Sequence, residues 1–274
     1  MAFFNELVTV YEVRSKYSGI TGDKDDAMIL DFIREISAQI QRGTDRSFVP
    51  RIETRRYDPT RDCRGNRLVL DRDYLAFTTI TNGDGNVVTS TQYVTEPRNN
   101  SPYWAIQLLG STGLTWQYQT DPENAISILG VTGYHLEYAD AWLAVDTLGG
   151  NISTTTENSL TLTTADSVRA GQLVQIDGEY LYIGAVSGTS VSRAARGANG
   201  STAAAHTSGT VISVWQPDYR VRELAREAVT GLFRLKNNPM AESYTADDGT
   251  TFVTPKDVSA YVEKRMRAWG LVRI

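Results

Sequence analysis

The side chains in this sequence that could do chemistry are few and scattered. Two histidines, His135 and His206, and a single cysteine, Cys63, are too few for a structural zinc site and exclude an intramolecular disulfide. Neither histidine lies at the spacing of a known catalytic motif, and no nucleophile elbow, P-loop or metalloprotease helix is present. Glu137, Asp140 and Asp146 could supply the two carboxylates of a glycosidase, but any acidic β protein offers such pairs. Asp84, between Gly83 and Gly85, is a residue type that binds calcium, yet the regular acidic spacing of an EF-hand loop is missing and a hairpin turn is the plainer reading. Asn151 and Asn199 stand in glycosylation-type triplets. The opening Met1-Ala-Phe-Phe-Asn-Glu-Leu has no basic segment and no sustained apolar run, so no secretory route is expected for them. The expectation is a chain that is not an enzyme, with no catalytic residue, no metal and no cofactor.

Charge is more informative than any single residue. The 274 residues carry a net charge of -5, which argues against tight capture of phosphate backbones. Between Ser101 and Ser190 a single base, Arg169, faces nine acids, so the middle of the chain would repel DNA. In contrast, Arg51, Arg55, Arg56, Arg61 and Arg64 crowd one short stretch with Glu53, Asp58 and Asp62 among them. That mixture reads as a solvated or subunit-facing surface rather than a nucleic-acid patch. Trp269 stands beside an apolar tail, Leu271-Val272-Arg273-Ile274, that is too short to make its own core. The tail is expected either to fold back or to be buried in a neighbour.

The elements that must position these residues follow from periodicity. Ile29, Ile33, Ile36 and Ile40 recur at helical spacing and predict a helix over 23–42, with Asp23, Asp25 and Asp26 at its start and Gly43 after its end; a shorter helix precedes it over about 9–17. From Arg51 onward the pattern changes to β-type runs at 68–70, 76–80, 87–89, 106–109 and 125–129, with a hairpin at Asn82–Asn86. A second β set follows a Gly/Ser/Thr-rich link, through 160–162, 173–176, 180–183 and 211–214, and Asp177-Gly178 reads as a two-residue hairpin. Helical spacing returns with Val221, Leu224, Ala225, Ala228, Leu232 and Leu235, and again with Val258, Tyr261, Val262, Met266 and Trp269 after Thr254-Pro255-Lys256-Asp257. The expected fold class is α+β: a discontinuous helical bundle of the N- and C-terminal segments with two inserted antiparallel β modules. Its parts would be residues 1–50 (helices), 51–149 (β unit), 150–214 (small β module) and 215–274 (helices and tail).

At this point the residues resemble a family. Val10-Tyr11-Glu12-Val13-Arg14 to Gly19-Ile20, then Asp25-Asp26-Ala27 and a helix running into Arg42-Gly43-Thr44-Asp45-Arg46-Ser47-Phe48, look like the opening of siphophage head-tail connector (adaptor) proteins. The stretches LVLDRDYLAFTTITNGDGN, YVTEPRNNSPYWAIQLL and ILGVTGY are similar to the β segment of longer members. The run from Ala170 to Pro217 resembles a small β module common in phage structural proteins, its turns corresponding to Arg196-Gly197 and to Ala204-Ala205-His206 through Gly209. The resemblance covers most of the chain. The size of the β insertions departs from compact members.

The resemblance implies a structural virion protein at the head-tail interface, assembled in the host cytoplasm as a dodecameric ring. Its partners would be further copies of itself, the portal protein, and a tail-completion, tail-terminator or head-stopper protein. Double-stranded DNA would pass through without specific binding, and no membrane is involved. Portal anchors are expected in Lys264, Arg265, Arg267, Trp269, Leu271 and Ile274, and subunit contacts in Arg51, Arg55, Arg56, Asp58, Arg61, Asp62 and Arg64. The rival expectation is a phage tail or baseplate module that grips host carbohydrate through its β domains, with Tyr180 and Tyr182 against the sugar.

Overall fold

A computed structural model of the chain describes residues 3–16, 22–192, 194–237, 243–245, 251–253 and 258–269. In chain order the elements are α1 (Val10–Lys16), α2 (Asp26–Thr44), β1 (Arg51–Tyr57), β2 (Cys63–Arg64), β3 (Arg67–Thr81), β4 (Val87–Val88), β5 (Tyr93–Glu96), β6 (Tyr103–Leu108) and β7 (Ile126–Thr132). They continue with β8 (Trp142–Thr147), β9 (Leu160–Thr161), β10 (Leu173–Ile176), β11 (Glu179–Tyr182), β12 (Ala185–Ser187), β13 (Ser190–Ser192), β14 (Val211–Trp215), α3 (Tyr219–Asn237), β15 (Ser243–Thr245), β16 (Thr251–Val253) and α4 (Val258–Ala268). Two compact units result: unit 1 is Met1–Val49 with Trp142–Ile274, and unit 2 is Pro50–Ala141.

The expected helical bundle with two inserted β modules is overturned. The described chain is mostly antiparallel sheet, seven-, four- and three-stranded, with a two-stranded ribbon and only four helices. Two physical reasons account for the error. Strands β1, β5 and β8 are polar or mixed in sequence and give no clean apolar alternation. The second β set, moreover, shares one compact unit with the helices instead of standing apart from them.

In unit 2 the sheet order is β1-β7-β3-β6-β5, with β2 and β4 paired to β3. Alternation puts Ile126 and Ile128 of β7, Leu68 and Leu70 of β3 and Ile106 and Leu108 of β6 into one core with Tyr57, Tyr74 and Trp116. β3 is long, and its ladder to β7 breaks register between Tyr74 and Ala76 and again between Phe77 and Thr79. Gly130 of β7 lies opposite these bulges. A Cβ there would stand 2.4 Å from the Ala76 carbonyl oxygen, so only glycine lets the backbones approach. The turn Asn82–Asn86 forms as expected, with Gly85 at φ 85°.

In unit 1 the sheet order is β11-β10-β14-β8, with β12-β13-β9 beside it in sequence. Leu148, Ile152, Leu162, Val174, Ile176, Leu181, Ile183, Ile212 and Val214 are part of its core. Asp177, at φ 51°, starts the β10–β11 hairpin that Asp177-Gly178 predicts. The helices share this unit. α2 packs against α3 and α4, and α1 against α2 and α3. Ile29, Ile33, Ile36 and Ile40 are all buried, as are Val221, Leu224, Ala225 and Ala228 on α3 and Val258, Val262 and Met266 on α4. Each such isoleucine contributes about 1.5–3 kcal/mol of transfer free energy. α1 opens with a capping box: Thr9 Oγ1 accepts the Glu12 N–H at 3.1 Å, and Glu12 Oε2 accepts the Thr9 N–H at 2.7 Å. α2 runs through Gly43, and it is Asp45, at φ 52°, that ends it.

Candidate functional site

The most developed cluster of polar side chains lies in the β module of unit 1. Hairpin β10–β11 delivers Glu179 into the interior, and the strandless stretch between Ser192 and Val211 delivers Arg196 and His206 to meet it. Relative side-chain exposure is 0% for Glu179, 6% for Arg196 and 1% for His206. Arg196 grips the carboxylate with two hydrogen bonds of 2.7 Å, from Nε to Oε1 and from Nη2 to Oε2. The backbone N–H groups of Gly197 and Ala204 donate to it at 2.9 and 3.0 Å, and His206 Nε2 lies 2.9 Å from Oε2. The remaining guanidinium hydrogens go to the carbonyls of Thr154, Glu157 and Ala204. His206 Nδ1 lies 2.8 Å from Asp177 Oδ2, and the His206 backbone bridges Ile152 in both directions at 2.9 Å.

Burial alone would push the Glu179 carboxyl up; the hydrogen bonds from Arg196, Ala204, His206 and Gly197 outweigh it and hold the group below its ordinary value. Five donors saturate the lone pairs of this carboxylate. A group so engaged cannot take a proton from a substrate, and its role is to hold the loop, the hairpin and the linker around residues 152–157 together. The Arg196-Gly197 and Ala204-Ala205-His206 turns are thus the two jaws of an internal clamp.

The arginine-rich stretch is β1 and the β2 hairpin of unit 2. Arg55 pairs with Asp71, Nε to Oδ1 at 2.9 Å, and lies 3.5 Å from Glu53. Asp71 also accepts from the buried Tyr57 hydroxyl at 2.8 Å, which in turn lies 3.4 Å from the Tyr74 hydroxyl. Burial pushes both tyrosines far above the usual range; at Tyr57 the Tyr74 and Asp71 contacts add to it, whereas at Tyr74 the hydrogen bond with Tyr57 and the Arg55 charge oppose it. Arg61, exposed, pairs with Asp62 at 3.0 Å and Asp58 at 3.4 Å. Asp58 accepts the Asn124 N–H at 2.6 Å, and Asp62 accepts the Asp58 N–H at 2.8 Å. Arg56 reaches only the Asn124 carbonyl, at 3.5 Å, and Arg64 is exposed. Arg51 is half-buried, and burial pulls its guanidinium below its ordinary value. Of the expected subunit-contact residues, Arg56, Arg61, Asp62 and Arg64 line an open hollow with Tyr57, Val69 and Leu70, whereas Arg55 is held by Asp71 and Asp58 by Asn124 within the unit.

The expected portal anchors divide in a similar way. Lys264 and Arg267 are exposed on α4. Arg265 is held within the unit, 3.6 Å from Glu227, 4.5 Å above the Trp269 ring and 5.7 Å above Tyr261. Tyr261 donates to Glu227 at 2.7 Å, and burial pushes its hydroxyl up to about 12. Arg220 reaches the Trp269 carbonyl at 3.4 Å. Leu271 and Ile274, and the helix start at 254–257, lie outside the described residues.

The other candidates become structural. Tyr180 is buried against Trp142, and Tyr182, half-buried, stacks on Phe4 at 3.8 Å and 5°. Asp146 accepts from Thr147 N, Thr164 N and Ser167 Oγ at 2.8, 3.0 and 2.6 Å. Asp84 is similarly filled by Asn86 and Gln117. Burial, aided by Asp62, pushes the Cys63 thiol up to about 12, which keeps it un-ionised at neutral pH. Among the described residues no group of three or more His, Cys, Asp or Glu could hold a metal ion, and no helix is long and apolar enough to cross a membrane. No family model, curated protein or solved structure matches the chain.

Proposed function

We propose that the chain is a structural component of a tailed-phage virion, a head-tail connector. Its copies would close a dodecameric ring on the portal and hold the tail or the next completion protein, while DNA passes without specific binding. In this reading it is not an enzyme and needs no cofactor. The observation that carries the reading is the packing of α2, before the β regions, against α3 and α4, after them. An acidic net charge of -5 agrees with a channel wall that does not retain phosphates. The exposed cations Lys264 and Arg267 on α4 are the anchors for the portal.

Electron microscopy of the protein mixed with portal rings tests the proposal directly. An added ring of density on the portal is the expected result, and unchanged portal rings at saturating protein would overturn it. Reversing both charges, Lys264→Glu with Arg267→Glu, should abolish the added ring while leaving the unfolding midpoint in place.

A further inference from the structure

The β2–β3 hairpin sets two arginines directly opposite one another. Arg64 of β2 pairs in register with Arg67 of β3, across a turn in which Gly65 stands at φ 61°. Like charges in that position are mutually destabilising. Glu96 answers Arg67, but among the described residues Arg64 pairs with no carboxylate and Arg56 reaches only the Asn124 carbonyl. Alternation along β3 carries Arg67, Val69 and Asp71 to one side of the sheet while Leu68 and Leu70 enter the core. The Arg67 guanidinium lies 4.6 Å above the ring of Trp104, which is 41% exposed, and Val69 is 39% exposed. Val69 in turn joins Arg56, Arg61 and Arg64 around the open hollow, of about 300 Å³. An uncovered tryptophan already stacked by an arginine, an uncovered valine and guanidiniums without ionic partners therefore form one continuous surface. Tryptophan and arginine are the side chains that most often anchor protein interfaces.

The charges select the occupant. Asp62 and Asp71 also line the hollow, but each is engaged: Asp62 by Arg61 and the Asp58 N–H, Asp71 by Arg55 and the Tyr57 hydroxyl. What stays uncompensated is the positive charge of Arg56 and Arg64, each able to hold a carboxylate through two parallel hydrogen bonds. A phosphate backbone needs an uninterrupted basic track, and those carboxylates, with Glu96 beside Arg67, interrupt it. A protein segment meets the same surface with carboxylates for the arginines and an aliphatic side chain for Val69 and Trp104. The geometry points to a docking surface, built on Arg56, Arg64, Val69 and Trp104, for an acidic segment of a partner protein in which carboxylates flank an aliphatic residue. The surface lies wholly within unit 2 and does not depend on the ring proposed above.

The test is a titration of the full-length chain with a fluorescent peptide that carries glutamates on both sides of a leucine, read by anisotropy at low salt. Saturable binding is expected, weakened at least about tenfold by Arg56→Glu with Arg64→Glu and about fivefold by Trp104→Ala. Arg98, exposed on the loop between β5 and β6, supplies the control, and Arg98→Glu should bind as the wild type does. No saturable binding by the wild type, an unchanged affinity in the double reversal, or an equal loss in Arg98→Glu overturns the surface. A double-stranded oligonucleotide that binds more tightly than the peptide, or self-association that the double reversal abolishes while the peptide stays unbound, gives the surface a different occupant and overturns it as well. Urea midpoints check that the variants fold; if the double reversal lowers the midpoint, Arg56→Gln with Arg64→Gln takes its place. Added ring density on the portal without peptide binding sinks this surface and leaves the connector reading standing, and peptide binding without the ring does the reverse.

Discussion

The two ionic clusters are built from the same residue types and differ in nearly everything else. In unit 1 the carboxylate of Glu179 is fully enclosed, takes five donors and leaves no guanidinium hydrogen of Arg196 idle. In unit 2 the arginines of β1 and the β2 hairpin stand nearer the solvent, and Arg61 keeps 74% side-chain exposure even while paired with Asp62 and Asp58. Enclosed charges are intolerant of losing a partner, because what remains is desolvated and uncompensated. Exposed charges are screened by water and salt and are individually dispensable. The first kind of cluster specifies a fold, and the second leaves a surface free to meet something else.

That contrast can be broken at its strongest point. Glu179→Ala strands Arg196 and His206 in the interior and should cost about 3–5 kcal/mol, read as a lower denaturant midpoint for unit 1. A smaller effect is expected from acid. The folded-state value of Glu179 is depressed, so its stabilising contribution is present above the ordinary value of 4.5 and is lost as pH falls through the lower folded value. Unfolding midpoints measured downward from pH 5 should drop more steeply for the wild type than for Glu179→Ala. Next in size is Asp71→Asn. With half its side chain in solvent, the loss of the charge and of the acceptor for Arg55 Nη2, while Oδ1 still accepts from Arg55 Nε and the Tyr57 hydroxyl, should cost about 1 kcal/mol after screening. At the bottom of the scale, Arg61→Ala should leave the midpoint unmoved. A clear destabilisation there would mean that the surface is integral to the fold and the comparison is drawn in the wrong place.

Much of the local structure was legible because it rests on short-range chemistry. The Ile29–Ile40 stripe, the α3 stripe and the Asn82–Asn86 and Asp177-Gly178 turns each need only a few neighbouring residues to declare themselves. The proportion of sheet was not legible. β1 reads Arg-Ile-Glu-Thr-Arg-Arg-Tyr, a strand with only Tyr57 buried and with Arg55 paired to Glu53 and Asp71, and it therefore lacks the apolar alternation that signals a strand. β8 carries Trp142, Leu143 and Val145 and falls near the end of the expected β unit 51–149. Its partner, β14, lies more than sixty residues further on, and nothing local announces a pairing at that range. Gly43 stands where the periodicity predicts a helix end. It is instead a place where Met266 of α4 packs closely, its Cε 2.7 Å from where a Cβ would stand. The Glu179 clamp was half visible: its two jaws were noticed as turns, but the carboxylate between them could not be singled out from nine acids in that region by sequence alone.

One glycine settles a question of scale. A straight strand of fifteen residues would run roughly 50 Å, whereas a compact body of unit 2's size spans only roughly 30 Å. The register breaks of β3 opposite Gly130 are bulges of the kind that bend a strand, and both its ends are paired, Leu68 with β2 and β6 and Ile80 with β4 and β7, so neither is left as an open ribbon for a neighbour to extend.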